Sequence, residues 1–309
     1  MIDPSSLYQL EPEPARQPQH APLLHVSLEG FMDAGNVRSQ LTGHLLEHLE
    51  HTVVAKFEMD SLIDYRSRRP MMTFDSDQWS DFEEPELVLY RVIDRSGEPF
   101  LLLDGMEPDF HWEAFVEAVH QLCLGFGVRR MVSAHGVPMA VPHTRPIGAT
   151  SYASNRELLG PADPMFGTVK VPGSAESLLH LRLGNAGVET MGVAVHVPHY
   201  LAEAQFGDAA VAALDKLVGF TGADLPRDEL AAAAGLNRAE IARELAENED
   251  AAEVVAALEQ RYDRFVEGQR KRSLLAAEVG ELPSADEIGA QFEDFLREVS
   301  DGEEPSEQE

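Results

Sequence analysis

A single cysteine, Cys123, rules out an internal disulfide and any zinc site built from cysteines. It sits between Leu122 and Leu124 in a helical pattern, with no basic neighbour in sequence to lower its pKa, and reads as a small core residue. No apolar run approaches the roughly 20 residues needed to span a bilayer. Met1-Ile2-Asp3-Pro4 has neither the basic nor the apolar region of a secretory leader, so a cytoplasmic location is expected. Positive charge is also scarce: 24 Lys and Arg face 54 Asp and Glu, for a formal net charge of -30. A field of that sign repels phosphate backbones and anionic lipid, which argues against nucleic acid and membrane surfaces as partners. There is no G-x-G-x-x-G run, no loop ending in G-K-[ST], and no internal repeat. No cofactor is expected.

What is present is a globular composition, 44% hydrophobic, on 309 residues, enough for one large domain with a smaller appendage. Residues 1–20 carry Pro4, Pro12, Pro14 and Pro18 among Glu and Gln and read as an extended, poorly ordered arm. An α/β core is expected over residues 21–222. Its first strand, Leu23 to Leu28, runs into Gly30-Phe31-Met32-Asp33-Ala34-Gly35-Asn36. A helix through Leu41, Leu45 and Leu49 follows, then a strand at Val53–Phe57, the βαβ pattern of a sheet with a parallel component. Residues 58–85 read as irregular. Leu87–Ile93 and Pro99–Leu103 form a hairpin about Asp94–Glu98, and a helix carries Trp112, Phe115, Val119 and Leu122 inward. Arg129–Ala134 and Val188–Val197 read as strands, residues 136–175 as long loops, and Ala202–Phe220 as a helix. The predicted fold class is therefore α/β, a mixed sheet flanked by helices. A helical appendage is expected over 223–268, then an acidic tail over 269–309 with one more helix from Ala285 to Val299.

Several turns could carry chemistry. Gly30, Asp33, Gly35 and Asn36 lie between a strand and a helix, where they either cap the helix or bring amides to a ligand. Asp104 and Glu107 end the next strand, near the helix start at Asp109; a cap and a carboxylate pair both fit. His135 and Gly136 end a third strand, followed by His143, Thr144 and Arg145, with hydroxyls at Ser151, Tyr152 and Ser154. An imidazole can move protons near neutral pH and Arg145 can hold an anion, although the prolines at 138, 142 and 146 also suit a stiff packing loop. His44-Leu45-Leu46-Glu47-His48 matches the inverted zinc-protease pattern H-x-x-E-H but has no identifiable third ligand, and a polar stripe explains it. Glu229 to Ile241 has the rhythm of a helix-turn-helix, yet its surroundings are too acidic to approach phosphates; it reads as a helical hairpin covering the core or a partner.

The Gly30–Asn36 turn, the Asp104-Gly105 turn, the strand ending at His135-Gly136-Val137-Pro138 and the Thr144-Arg145-Pro146 loop together resemble the proteasome assembly chaperone family, most closely its actinobacterial branch, over about residues 22–265. That resemblance implies an α/β core similar to the purine nucleoside phosphorylases, assembly into homo-oligomers such as a trimer, and binding of proteins such as proteasome subunits. Two functions are open. The first is a non-enzymatic, oligomeric assembly factor. The second is a small-molecule enzyme of nucleoside or phosphate type, with a crevice made of the Asp33–Asn36 turn, Glu107, His135 and Arg145, in which Arg145 holds the anion and His135 or a carboxylate handles a proton. The missing catalytic signature favours the first.

Overall fold

The computed structural model describes residues 2–12, 20–160 and 167–278. The elements in chain order are β1 (Tyr8–Leu10), β2 (Leu23–Glu29), α1 (Val37–His48), β3 (His51–Phe57), β4 (Met72–Asp75), β5 (Gln78–Phe82), β6 (Leu87–Ile93), β7 (Pro99–Met106) and α2 (Trp112–Phe126). They continue with β8 (Arg130–Met139), β9 (Ala149–Ala153), α3 (Ala175–Asn185), β10 (Glu189–Pro198), α4 (Gly207–Thr221), α5 (Arg227–Ala246) and α6 (Glu249–Glu278). Residues from Met1 to Glu259 form one compact unit; from Gln260 onward the description is the continuation of α6 to Glu278.

Eight strands form one sheet in the order β1-β3-β6-β7-β2-β8-β10-β9. The centre, β7-β2-β8-β10, is parallel, and its flanks are antiparallel. Helices cover both faces, so the apolar residues of the central strands alternate between two cores, with a few buried polar residues such as His25, Ser27 and Ser133 among them. Leu101, Leu103 and Met131 face a core shared with Phe115, Val119 and Leu122 of α2 and Leu179 and Leu183 of α3. Phe100, Leu102, Val132 and Ala134 face the other core, with Leu41 and Leu45 of α1, Leu214 and Leu217 of α4, and Leu230 and Ile241 of α5. The mixed, helix-flanked sheet expected from the sequence is thus the observed one. Cys123 is buried among the α2 side chains, and burial pushes its thiol up to about 12.

Several local expectations are corrected. The front of the N-terminal arm is structured: Leu7 is fully buried, and β1 pairs antiparallel with β3. The strands β2 and β3 run in the same direction but do not pair, because the β6–β7 hairpin inserts between them and β7 takes the place beside β2. Residues 58–85 contain a separate hairpin, β4–β5, and the 136–175 stretch supplies the end of β8, the edge strand β9 and the approach to α3. The helix expected from Ala202 begins at Gly207, after a short 3-10 turn at His199–Leu201. Glu229–Ile241 contains no turn, since α5 continues through Gly235. It packs along α4, with Asn237 accepting from the Gly207 amide at 3.0 Å, so α5 belongs to the main body and not to an appendage beginning at 223. The first ten residues of the expected acidic tail, 269–278, continue α6; the rest of the tail, with the Ala285–Val299 helix, lies outside the described residues.

Candidate functional site

A cavity of about 610 Å³ lies between α3 and the sheet. It is the size of a small-molecule pocket. Leu28, Phe31, Met32, Val137, Val171 and Leu181 supply most of its wall, and its polar groups include Glu107, His135, Tyr152, Glu176 and His180. Among the described residues, no Lys or Arg lines it.

Glu107, at the end of β7, is buried, and its carboxylate accepts the amide hydrogen of Ala175, the first residue of α3. Burial raises the Glu107 carboxyl above its ordinary value, while the Ala175 amide and nearby Arg68 pull it down. A Cβ at Gly30 would lie 2.8 Å from Glu107 Oε2, so a side chain there would displace that carboxylate. At the N-cap of α3, Ser174 Oγ accepts from the Ser177 amide at 3.0 Å, in a capping box that completes the helix start.

Glu176 and His180 stand one turn apart on α3 and share its inward face. His135 Nδ1 lies 3.7 Å from Glu176 Oε1. Burial alone would raise the Glu176 carboxyl; His135, with help from His180 and Ser133, holds it below its ordinary value instead. His180 is lowered to about 4 by burial and is neutral at physiological pH. Its Nε2 meets Ser133 Oγ at 2.9 Å, its ring packs edge-on against Tyr152 at 5.0 Å, and its Nδ1 has no hydrogen-bond partner. Burial pushes the Tyr152 hydroxyl beyond its ordinary range.

Only some of the sequence-predicted residues meet here. Gly30, Glu107 and His135 line the cavity. Asp33 caps α1, accepting from the Arg38 amide at 2.8 Å and the Ser39 amide at 3.3 Å. Gly35 and Asn36 take left-handed φ values of 70° and 51° to make that turn. Gly136 passes so close to this turn that a Cβ would overlap the Ala34 carbonyl. Behind the turn, the buried Arg38 joins the buried Ser27, the part-buried Asp104 and the exposed Glu29 at 3.3–3.5 Å.

Thr144 and Arg145 do not line the cavity; both engage Glu259 of α6, Arg145 at 3.1 Å. His143 bonds Tyr200 at 2.7 Å and His196 bonds Thr150 at 2.9 Å, and neither reaches the cavity wall. The H-x-x-E-H histidines serve structure: His44 Nε2 meets the Pro226 carbonyl at 2.6 Å, and His48 Nδ1 the His44 carbonyl at 3.0 Å. Sequence reading missed Glu176 and His180. Their signal was the Ser174–Ser177 cap followed by Leu179 and Leu183 at helical spacing.

The body is a three-layer α/β fold with a largely apolar pocket, in which the Ser133 hydroxyl and the His180 imidazole are in hydrogen-bond contact. The family model that matches is the PAC2 family, over residues 27–245, and the chain belongs to that family. No curated protein matches. The chain is similar to a solved Mycobacterium tuberculosis protein of unknown function, at 43% identity and a TM-score of 0.82 over 87% of this chain and 92% of that one. A Corynebacterium glutamicum protein of unknown function is 35% identical, with a TM-score of 0.77 over 85% and 98% of the two chains. A Mycobacterium tuberculosis protein described as a proteasome-assembly chaperone homologue shares the fold at 20% identity, with a TM-score of 0.67 over 75% and 99%. The expected likeness to purine nucleoside phosphorylases gains no support from these similarities.

Proposed function

We propose that this chain is a non-enzymatic, homo-oligomeric assembly factor whose partner is another protein, with proteasome subunits as the first candidates. Membership of the PAC2 family supports this reading, as does the fold shared with a proteasome-assembly chaperone homologue. The observation that carries it is the β4–β5 hairpin. Every residue from Met71 to Glu84 is exposed, including Met71, Met72, Phe74, Trp79 and Phe82. An isolated two-stranded hairpin is marginal in water. A cluster of exposed large apolar side chains is characteristic of a protein-binding surface.

The apolar side chains are interleaved with Asp75, Asp77, Asp81, Glu83 and Glu84 and with no Lys or Arg. Two copies of this hairpin would repel each other, so its complement is an apolar patch rimmed by basic residues on a different protein. The phosphate-type enzyme loses its anion holder, because Arg145 engages Glu259 away from the cavity.

Purified proteasome subunits from the same source provide the test, with binding read by titration and assembly by native gel. The parent chain should bind and speed assembly, while Trp79→Asp should weaken binding at least ten-fold. Neither binding nor altered assembly by the parent chain would overturn the reading. A homo-oligomer that Trp79→Asp dissolves would reassign the hairpin to self-association.

A further inference from the structure

The cavity under α3 is a candidate site independent of the hairpin. Its ionisable side chains are two carboxylates, two imidazoles and a phenol, with no Lys or Arg among them. Glu176 is held as a carboxylate, with a side chain only 12% exposed. Glu107 is a second carboxylate in the lining. His180 Nε2 meets Ser133 Oγ at 2.9 Å, and its Nδ1 is buried with no hydrogen-bond partner. A ligand's N–H would satisfy that nitrogen in its unprotonated form.

Anions are disfavoured by the same residues. No Lys or Arg is in the lining, and the α3 amides best placed to hold an anion are already taken, Ala175 by Glu107 and Ser177 by Ser174. The walls are apolar, and Phe31, Val171 and Leu181 remain exposed at 62%, 74% and 54% although they line the pocket, so an apolar body could cover them. The volume suits a ligand of drug-like size.

We propose that this cavity binds an organic cation, an ammonium or amidinium group on an apolar or aromatic body, with the cation against Glu176 and the body between Phe31, Val137 and Leu181. The site selects by charge first, because the cationic head is the only part of such a ligand that leaves water for a fixed carboxylate. A neutral isostere keeps the apolar contacts and loses the ion pair. A carboxylate isostere meets two carboxylates in a lining without Lys or Arg.

The test uses the full chain and matched trios sharing one body: tryptamine, tryptophol and indole-3-propionate, then hexylamine, hexanol and hexanoate, then benzamidine, benzyl alcohol and benzoate. Binding is read by isothermal titration and by thermal shift. In at least one trio the cation should bind with a Kd below about 1 mM, the alcohol at least ten-fold more weakly, and the acid not at all. The chain is acidic overall, so two variants separate the site from diffuse attraction. Glu176→Gln should bring the cation to the affinity of its alcohol. Leu181→Arg, at an exposed lining position, should weaken the cation at least ten-fold more than it weakens the alcohol. No cation below that Kd, an acid that binds as well as its amine, or cation affinity unchanged in both variants would overturn the proposal.

Discussion

His25 and His180 are both more than nine-tenths buried and neutral, and burial lowers each from 6.5 to about 4. A histidine with a depressed folded pKa is protonated first in the unfolded chain. Its contribution to stability is therefore complete above about pH 6.5 and falls away as pH drops toward 4. Each can cost up to about 3 kcal/mol by that point. Asp104 and Glu107 act in the opposite direction, because burial raises their folded values and their protonation on acidification relieves the cost of a buried charge. The histidines titrate at higher pH, so the net slope between pH 7 and 5 should be a loss. Urea unfolding across that range should show it, and the His25→Gln, His180→Gln double variant should flatten it by at least half. A double variant as acid-sensitive as the parent would remove these two residues from the account.

At the scale of elements, the β4–β5 hairpin and helix α3 are opposites. None of residues 71–84 belongs to either core, and the ends of the hairpin are already joined, with the Glu83 amide donating to the Met71 carbonyl at 3.0 Å. Replacing 71–84 with a short Gly-Ser linker should therefore change the unfolding free energy by no more than about 0.5 kcal/mol, while abolishing the partner binding proposed for it. A loss above about 2 kcal/mol on excision would mean that the hairpin supports the body. Helix α3, by contrast, fills a core and roofs the cavity. It escaped sequence reading because Leu179 and Leu183 stand among Ser, His, Arg and Gly, a weak amphipathic signal. The strands β2, β8 and β10 were legible because they are mostly buried and rich in Leu, Val and Met, with few polar residues between them, and β6–β7 because an apolar run stands on each side of a glycine turn. Strand order was not legible, since pairing β7 beside β2 depends on contacts about 77 residues apart, as between Ser27 and Asp104. The site divided in the same way. Gly30, Glu107 and His135 could be found because strand ends mark them. Arg145 was assigned to the crevice because its partner, Glu259, lies 114 residues further along the chain.

For the whole molecule, a formal net charge of -30 makes salt act in opposite directions on folding and on association. Compaction brings like charges together, and screening relieves that repulsion. The surface also carries forked ion pairs that salt weakens: Arg130–Glu189, Arg182–Glu113, Arg227–Asp215 and Arg238–Asp208. Exposed pairs are worth about 0–1 kcal/mol each, whereas the excess of 30 negative charges acts over the whole surface until the screening length falls below their spacing. That length shortens from about 30 Å at 0.01 M to about 10 Å at 0.1 M salt. Repulsion should win, so the melting temperature should rise between those concentrations. Binding to a partner with a basic rim should weaken over the same range, mainly through a slower association rate, because long-range attraction is what screening removes. Melting scans and association kinetics measured in the same buffers separate the two effects. A melting temperature that falls with salt would show that the local ion pairs outweigh the global charge. An association rate indifferent to salt would show that the partner meets the apolar residues of the hairpin without using its carboxylates.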